Sequence, residues 1–174
     1  MNLISRFHFT IIALFVGLML ANCSTVEIPE NTVINPQQPT GAVVLTFDES
    51  TVPDHCKVFS HLIFTVPPDL SKKAVRTKIE TFAKSHGSDY LLIGLARESS
   101  KSTTSIIFKE YGPSKPYLFS RQWTGWRFGF SDWTGGGPLM DYGYNHIQGE
   151  GAVFDRQVDV QAIMLSCQIG PAMQ

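Results

Sequence analysis

Apolar positions along the chain fall into three kinds of stretch, each with its own spacing. Residues 9–21 are continuously apolar except for Thr10, after Arg6 and His8. About 13 residues is too short to span a bilayer core, which takes roughly 20, and matches the h-region of an export signal. Residues 24–40 show no apolar period and are broken by Pro29, Pro36 and Pro39, as in an extended tether. From residue 42 onward the spacing becomes that of a folded domain. Residues 42–47 and 57–66 read as β-strands, the second bounded by Pro67 and Pro68. Val75, Ile79, Phe82 and Ala83 then recur at helical period, with Asp69 or Ser71 as the cap and Gly87 as the left-handed residue past the end. Residues 90–96 form a continuous apolar run, as in a central strand covered on both faces. Residues 103–111 are expected to pair back on it as a hairpin, and residues 152–154 and 158–167 supply one or two further strands. The sum is α+β: a single small domain over residues 41–174, one main helix packed on a mixed β-sheet.

Between residues 112 and 151 the composition shifts to rings and glycine. Trp123, Trp126 and Trp133 all lie here, interleaved with Gly125, Gly129, Gly135, Gly136 and Gly137. So long a segment without a clear helix is not an idle connection. It reads as an inserted hairpin over residues 117–130 followed by a ring-bearing loop. The rings could fold down as a second small core. They could equally anchor a protein partner, with Arg121, Arg127 and Tyr142 beside the tryptophans, or stack on the sugars of a glycan such as peptidoglycan.

Leu20-Ala21-Asn22-Cys23 closes the leader and resembles the lipobox of bacterial lipoproteins. That resemblance implies cleavage before Cys23, so that residues 1–22 are a signal peptide, and acylation of Cys23, with residues 23–40 as the tether. More than one acyl chain makes a stable membrane anchor. Ser24 after the cysteine implies the outer membrane, with the domain facing the periplasm. A signal cleaved to release a soluble periplasmic protein is the alternative. With Cys23 lipidated, Cys56 and Cys167 remain, an even number in an oxidising compartment, and are expected to pair. A loop of about 110 residues would gain nearly 5 kcal/mol from that closure in the chain-entropy account. Two free buried thiols are the other possibility.

A cysteine opening a strand, a striped helix, the corner Ala83-Lys84-Ser85-His86-Gly87-Ser88-Asp89 and a last strand ending in a cysteine resemble the RcsF-like periplasmic lipoproteins. The aromatic stretch has no counterpart there. The resemblance implies a small envelope domain that acts through protein contacts, and it supports the Cys56 to Cys167 pairing and the corner at Gly87.

Charge and motifs narrow the rest. A net charge of −1 carries no electrostatic footprint for nucleic acid. Asp54, His55, Cys56 and His61 are metal-ligand types, but their spacing matches no closed zinc site, and a disulfide would withhold Cys56. No G-x-S-x-G elbow is present, and the glycines 135–137 lead into no phosphate-binding helix. Asp132, Asp141, Glu150 and Asp155 flank the aromatic stretch, where paired carboxylates could hydrolyse glycosides. Solvated surface acids are the plainer reading. The expectation is therefore a non-catalytic lipoprotein without metal or cofactor, whose partners are the membrane and an envelope protein or glycan.

Overall fold

The computed structural model describes residues 41–120, 123, 125, 126 and 129–168. The leader, Cys23, the tether, Arg121 and Arg127 lie outside them. Seven strands make one sheet: β1 (Val44–Thr46), β2 (Lys57–Val66), β3 (Tyr90–Glu98), β4 (Ile107–Tyr111), β5 (Tyr117–Leu118), β6 (Leu139–Met140) and β7 (Val158–Ser166). The main path runs β1-β3-β7-β2-β4, with β5 on β2 and β6 on β3. β1 is parallel to β3 and every other pair is antiparallel. The domain is α+β, with helix α1 (Lys72–Ser85) as its main helix and a single turn, α2 (Ser131–Thr134), in the aromatic stretch.

Between β2 and β3 the chain makes a crossover through α1, and the two strands run parallel with a gap between them. β7 fills that gap in the opposite direction, pairing Val58 with Leu165 on one side and Tyr90 with Leu165 on the other. Its sequence suits the position, since Val158 to Leu165 are all buried. The centre of the sheet is therefore β7, while β3 carries β1 and β6 along its outer edge.

β4 does not form the expected hairpin with β3. The inner edge of β3 is taken by β7, and the connection is carried across the start of β7 by Gln157. Its carbonyl accepts from the Ser99 N–H (2.9 Å) and its side-chain Oε1 accepts from the Thr103 N–H (3.1 Å). β4 lands on β2 instead, from Thr65 opposite Ile107 to His61 opposite Tyr111. That pairing stops at His61 and leaves Lys57 and Val58 with an open edge, which Tyr117 and Leu118 fill. For this reason β5 extends β2, and among the described residues it pairs with no other strand. Residues 152–154 likewise form no strand, only an isolated bridge from Ala152 to Ser71.

The helix ends as its residues dictate. Ser71 is the cap, its hydroxyl accepting from the Ala74 N–H at 3.2 Å, and Gly87 adopts φ +74° where a β-carbon would be strained. Val75, Ile79 and Ala83 are buried against Leu62, Phe64, Leu91, Ile93, Val160 and Met164 on one face of the sheet. Phe82 lies at the rim of that contact, stacked at 4.0 Å on Phe108 of β4. The opposite face carries Val58, Ile63, Leu92, Ile163 and Leu165, and what covers it is the aromatic stretch: Phe119, Phe130 and Trp133 buried, Trp123 and Trp126 partly so. The molecule thus has three layers, a helix, a sheet and a cover of rings.

Candidate functional site

The cover is seated on a gap in the sheet. At Gly94 the pairing of β3 with β7 shifts register, and the six-membered ring of Trp126 settles against the bare Cα. A β-carbon there would stand 2.1 Å from Trp126 Cε3. The indole N–H of Trp126 donates to Glu49 Oε1 at 3.1 Å, which ties the ring to the short turn before β2. Trp123 meets Trp126 edge to face at 4.6 Å and donates its own N–H to Tyr117 Oη at 3.2 Å.

Beneath these rings lies His61 of β2. Its Nε2 shares a hydrogen bond with Tyr117 Oη at 2.9 Å, and the rings of Tyr117, Trp123 and Phe130 surround it at 6.0 to 6.2 Å. Burial lowers the His61 pKa to about 4, so the imidazole is neutral at pH 7. The residue therefore acts as a polar strut under the cover rather than as a charge.

Two further clips hold the cover along its length. Tyr111 stacks on Phe130 at 3.9 Å and donates to Asp132 Oδ2 at 2.6 Å. Asp132 also takes Lys109 at 2.5 Å and Lys101 at 3.1 Å. Partial burial works against ionisation of its carboxyl, but these three donors outweigh it and hold the pKa well below the usual carboxylate range. The second clip is Arg97 of β3, which lies over the Trp133 ring at 5.0 Å and donates to the carbonyls of Trp133 and Gly137 at 2.5 and 2.8 Å.

At the far end the Cys56–Cys167 disulfide is present, joining the start of β2 to the end of β7 one step beyond the pair Lys57 and Ser166. The Phe119 N–H donates to the Cys56 carbonyl at 2.9 Å, so the first ring of the cover is attached at the bond itself.

The expected site residues therefore part company. Trp123, Trp126 and Trp133 come together over one face of the sheet. Tyr142 passes round the β3 edge to the helix face, buried against Phe47 and Phe154 at 5.2 Å each, with its hydroxyl pKa raised by burial. Of the flanking acids, Asp132 is a tie point, Asp155 pairs with Arg156 at 3.0 Å, and Asp141 and Glu150 are exposed. Gly94, Arg97, Glu49 and Tyr111 were not singled out from the sequence. Gly94 alone carried a signal, as a lone glycine within an apolar strand, which marks a bulge or a close approach. No protein-family model, no curated protein and no solved structure matches this chain.

Proposed function

We propose that the protein is an outer-membrane lipoprotein anchored through Cys23, and that its domain is a non-catalytic interaction module in envelope assembly or stress sensing. The observation that carries this reading is the Cys56–Cys167 bond. Structural disulfides persist in oxidising compartments, in keeping with an export signal ahead of Cys23. The bond and the left-handed Gly87 also support the likeness to RcsF-like lipoproteins.

The contact surface is the outer side of the ring cover. Trp123 and Trp126 are half-buried there, and Gly129, between Trp126 and the buried Phe130, is exposed. Tryptophan is the residue in which interface energy concentrates. Both indole N–H groups are already engaged by Tyr117 and Glu49, and Trp126 rests on Gly94. What remains is apolar edge, which suits a protein partner better than a flat platform for sugars. Asp132, held ionised by three donors, is no proton donor near neutral pH, which argues against a glycosidase.

A photo-crosslinker in place of Trp123 in intact cells is expected to capture one envelope protein, and palmitate labelling is expected to require Cys23. If the protein instead sediments with insoluble peptidoglycan and Trp123→Ala abolishes this, the domain is a glycan-binding module. Absence of palmitate on the native protein overturns the anchor.

A further inference from the structure

The disulfide end of the sheet holds a third potential ligand. His55, exposed, stands where one of its ring nitrogens and the sulfurs of Cys56 and Cys167 all lie within 4.8 Å of one another. With the bond closed, neither sulfur can coordinate an ion. With it open, two thiolates and an imidazole converge, the ligand types that select zinc and monovalent copper. Zinc holds sulfur at about 2.3 Å and nitrogen at about 2.0–2.1 Å, so its ligand atoms stand within about 4 Å of one another; His55 is already near that reach, and the two sulfurs move apart to it once their bond opens.

We propose that reduction of Cys56–Cys167 creates a site for a thiophilic d10 cation, with Cys56, Cys167 and His55 as ligands and a fourth position open to water. The reductant is a dithiol. One of its thiolates bonds to Cys167 Sγ, the more accessible sulfur, and the Cys56–Cys167 bond breaks with its electron pair leaving on Cys56. The second thiolate then displaces Cys167, so that the dithiol becomes a disulfide and the protein gains two electrons and two protons. Metal binding releases the two thiol protons.

The backbone keeps the ligands together after the bond opens. Cys56 donates its N–H to the Pro53 carbonyl at 3.0 Å and accepts from Phe119 at 2.9 Å. Cys167 donates its N–H to Asp89 Oδ2 at 2.7 Å. Between them Lys57 and Ser166 remain paired across β2 and β7. The site is thus preformed by the sheet, and the disulfide acts as its lock. It stands independently of the lipid anchor and of any partner at the ring cover.

The test uses the full chain in detergent under anaerobic conditions, reduced with a phosphine that does not compete for metal, and titrated with Zn2+ against a chelating dye. One zinc per reduced chain is expected and none per oxidised chain. Co2+ in place of zinc is expected to give a thiolate-to-metal charge-transfer band. His55→Ala is expected to weaken zinc by at least about tenfold, since even a lost outer-shell partner has an effect of that size. Equal zinc uptake by oxidised and reduced chains overturns the proposal, as does unchanged affinity in His55→Ala. Loss of the β-sheet circular dichroism on reduction alone also overturns it, because the ligands would no longer be held in place.

Discussion

The two faces of the sheet are covered in opposite ways. On one, a regular helix buries Val75, Ile79 and Ala83 against mainly aliphatic side chains, and its first N–H groups are taken by Ser71 and the Gly151 carbonyl. On the other, an irregular chain lays down rings held by side-chain clips from Glu49, Arg97 and Tyr111. Polar groups are buried on this second face too. Thr65 donates to Asp159 at 2.5 Å, while Asp159 Oδ2 and both amide atoms of Gln161 have no hydrogen-bond partner among the described residues. Unsatisfied buried polar atoms are destabilising and uncommon. The difference teaches that the helix face supplies cohesion, while the ring face is the layer that can change without unfolding the domain.

The sharpest way to break this comparison is to hollow the helix face. Ile79→Ala removes a fully buried side chain between α1 and the sheet and is expected to destabilise by about 4 kcal/mol, measured by urea unfolding. A smaller loss would mean that the helix is not the cohesive layer.

Next comes pH. The folded His61 has a pKa of about 4 against an ordinary 6.5, so its contribution to stability is complete above about pH 6.5 and is lost as pH falls to about 4. Two to three units correspond to about 3 kcal/mol. His61→Phe is expected to flatten the stability profile across that window. Asp132 acts lower, its contribution fading only as pH falls beneath the ordinary carboxylate range.

Gly94→Ala drives a methyl into the Trp126 ring and is expected to destabilise by about 2 kcal/mol. The expected signature is red-shifted tryptophan emission with unchanged far-ultraviolet circular dichroism, meaning that the cover shifts while the sheet stays. The smallest effect is Arg97→Met, expected to lose about 1 kcal/mol with the cation–π contact and two donated hydrogen bonds. Its readout is faster proteolysis within the cover.

Local chemistry was legible in the sequence and long-range placement was not. The cap at Ser71, the stripe Val75, Ile79 and Ala83, the turn at Gly87 and strand Lys57–Val66 follow from neighbouring residues, and the structure has them all. The expected Cys56–Cys167 bond is present as well. The central position of β7 is a matter of which edges remain open after α1 crosses over, and no local signal records it. The same holds for β4, whose residues pair equally well with any free edge. Rings and glycines announced a special segment at 112–151, but a ring that covers a sheet and a ring that meets a partner have the same composition. Only Gly94, a lone glycine inside an apolar strand, carried a sign of the place where one of those rings sits.

The middle strand of the sheet is also the last to be made. Ribosomes deliver a chain from its amino end, so β2 and β3 arrive as neighbours with nothing between them until residues 158–166 follow. Until then the oily faces of both strands stand open to holdases and to each other's copies. Such distant pairing makes for slow closure. The sheet closes in one late step, and a ribosome stalled before residue 158 would leave a nascent product whose two longest strands lack the neighbour they share.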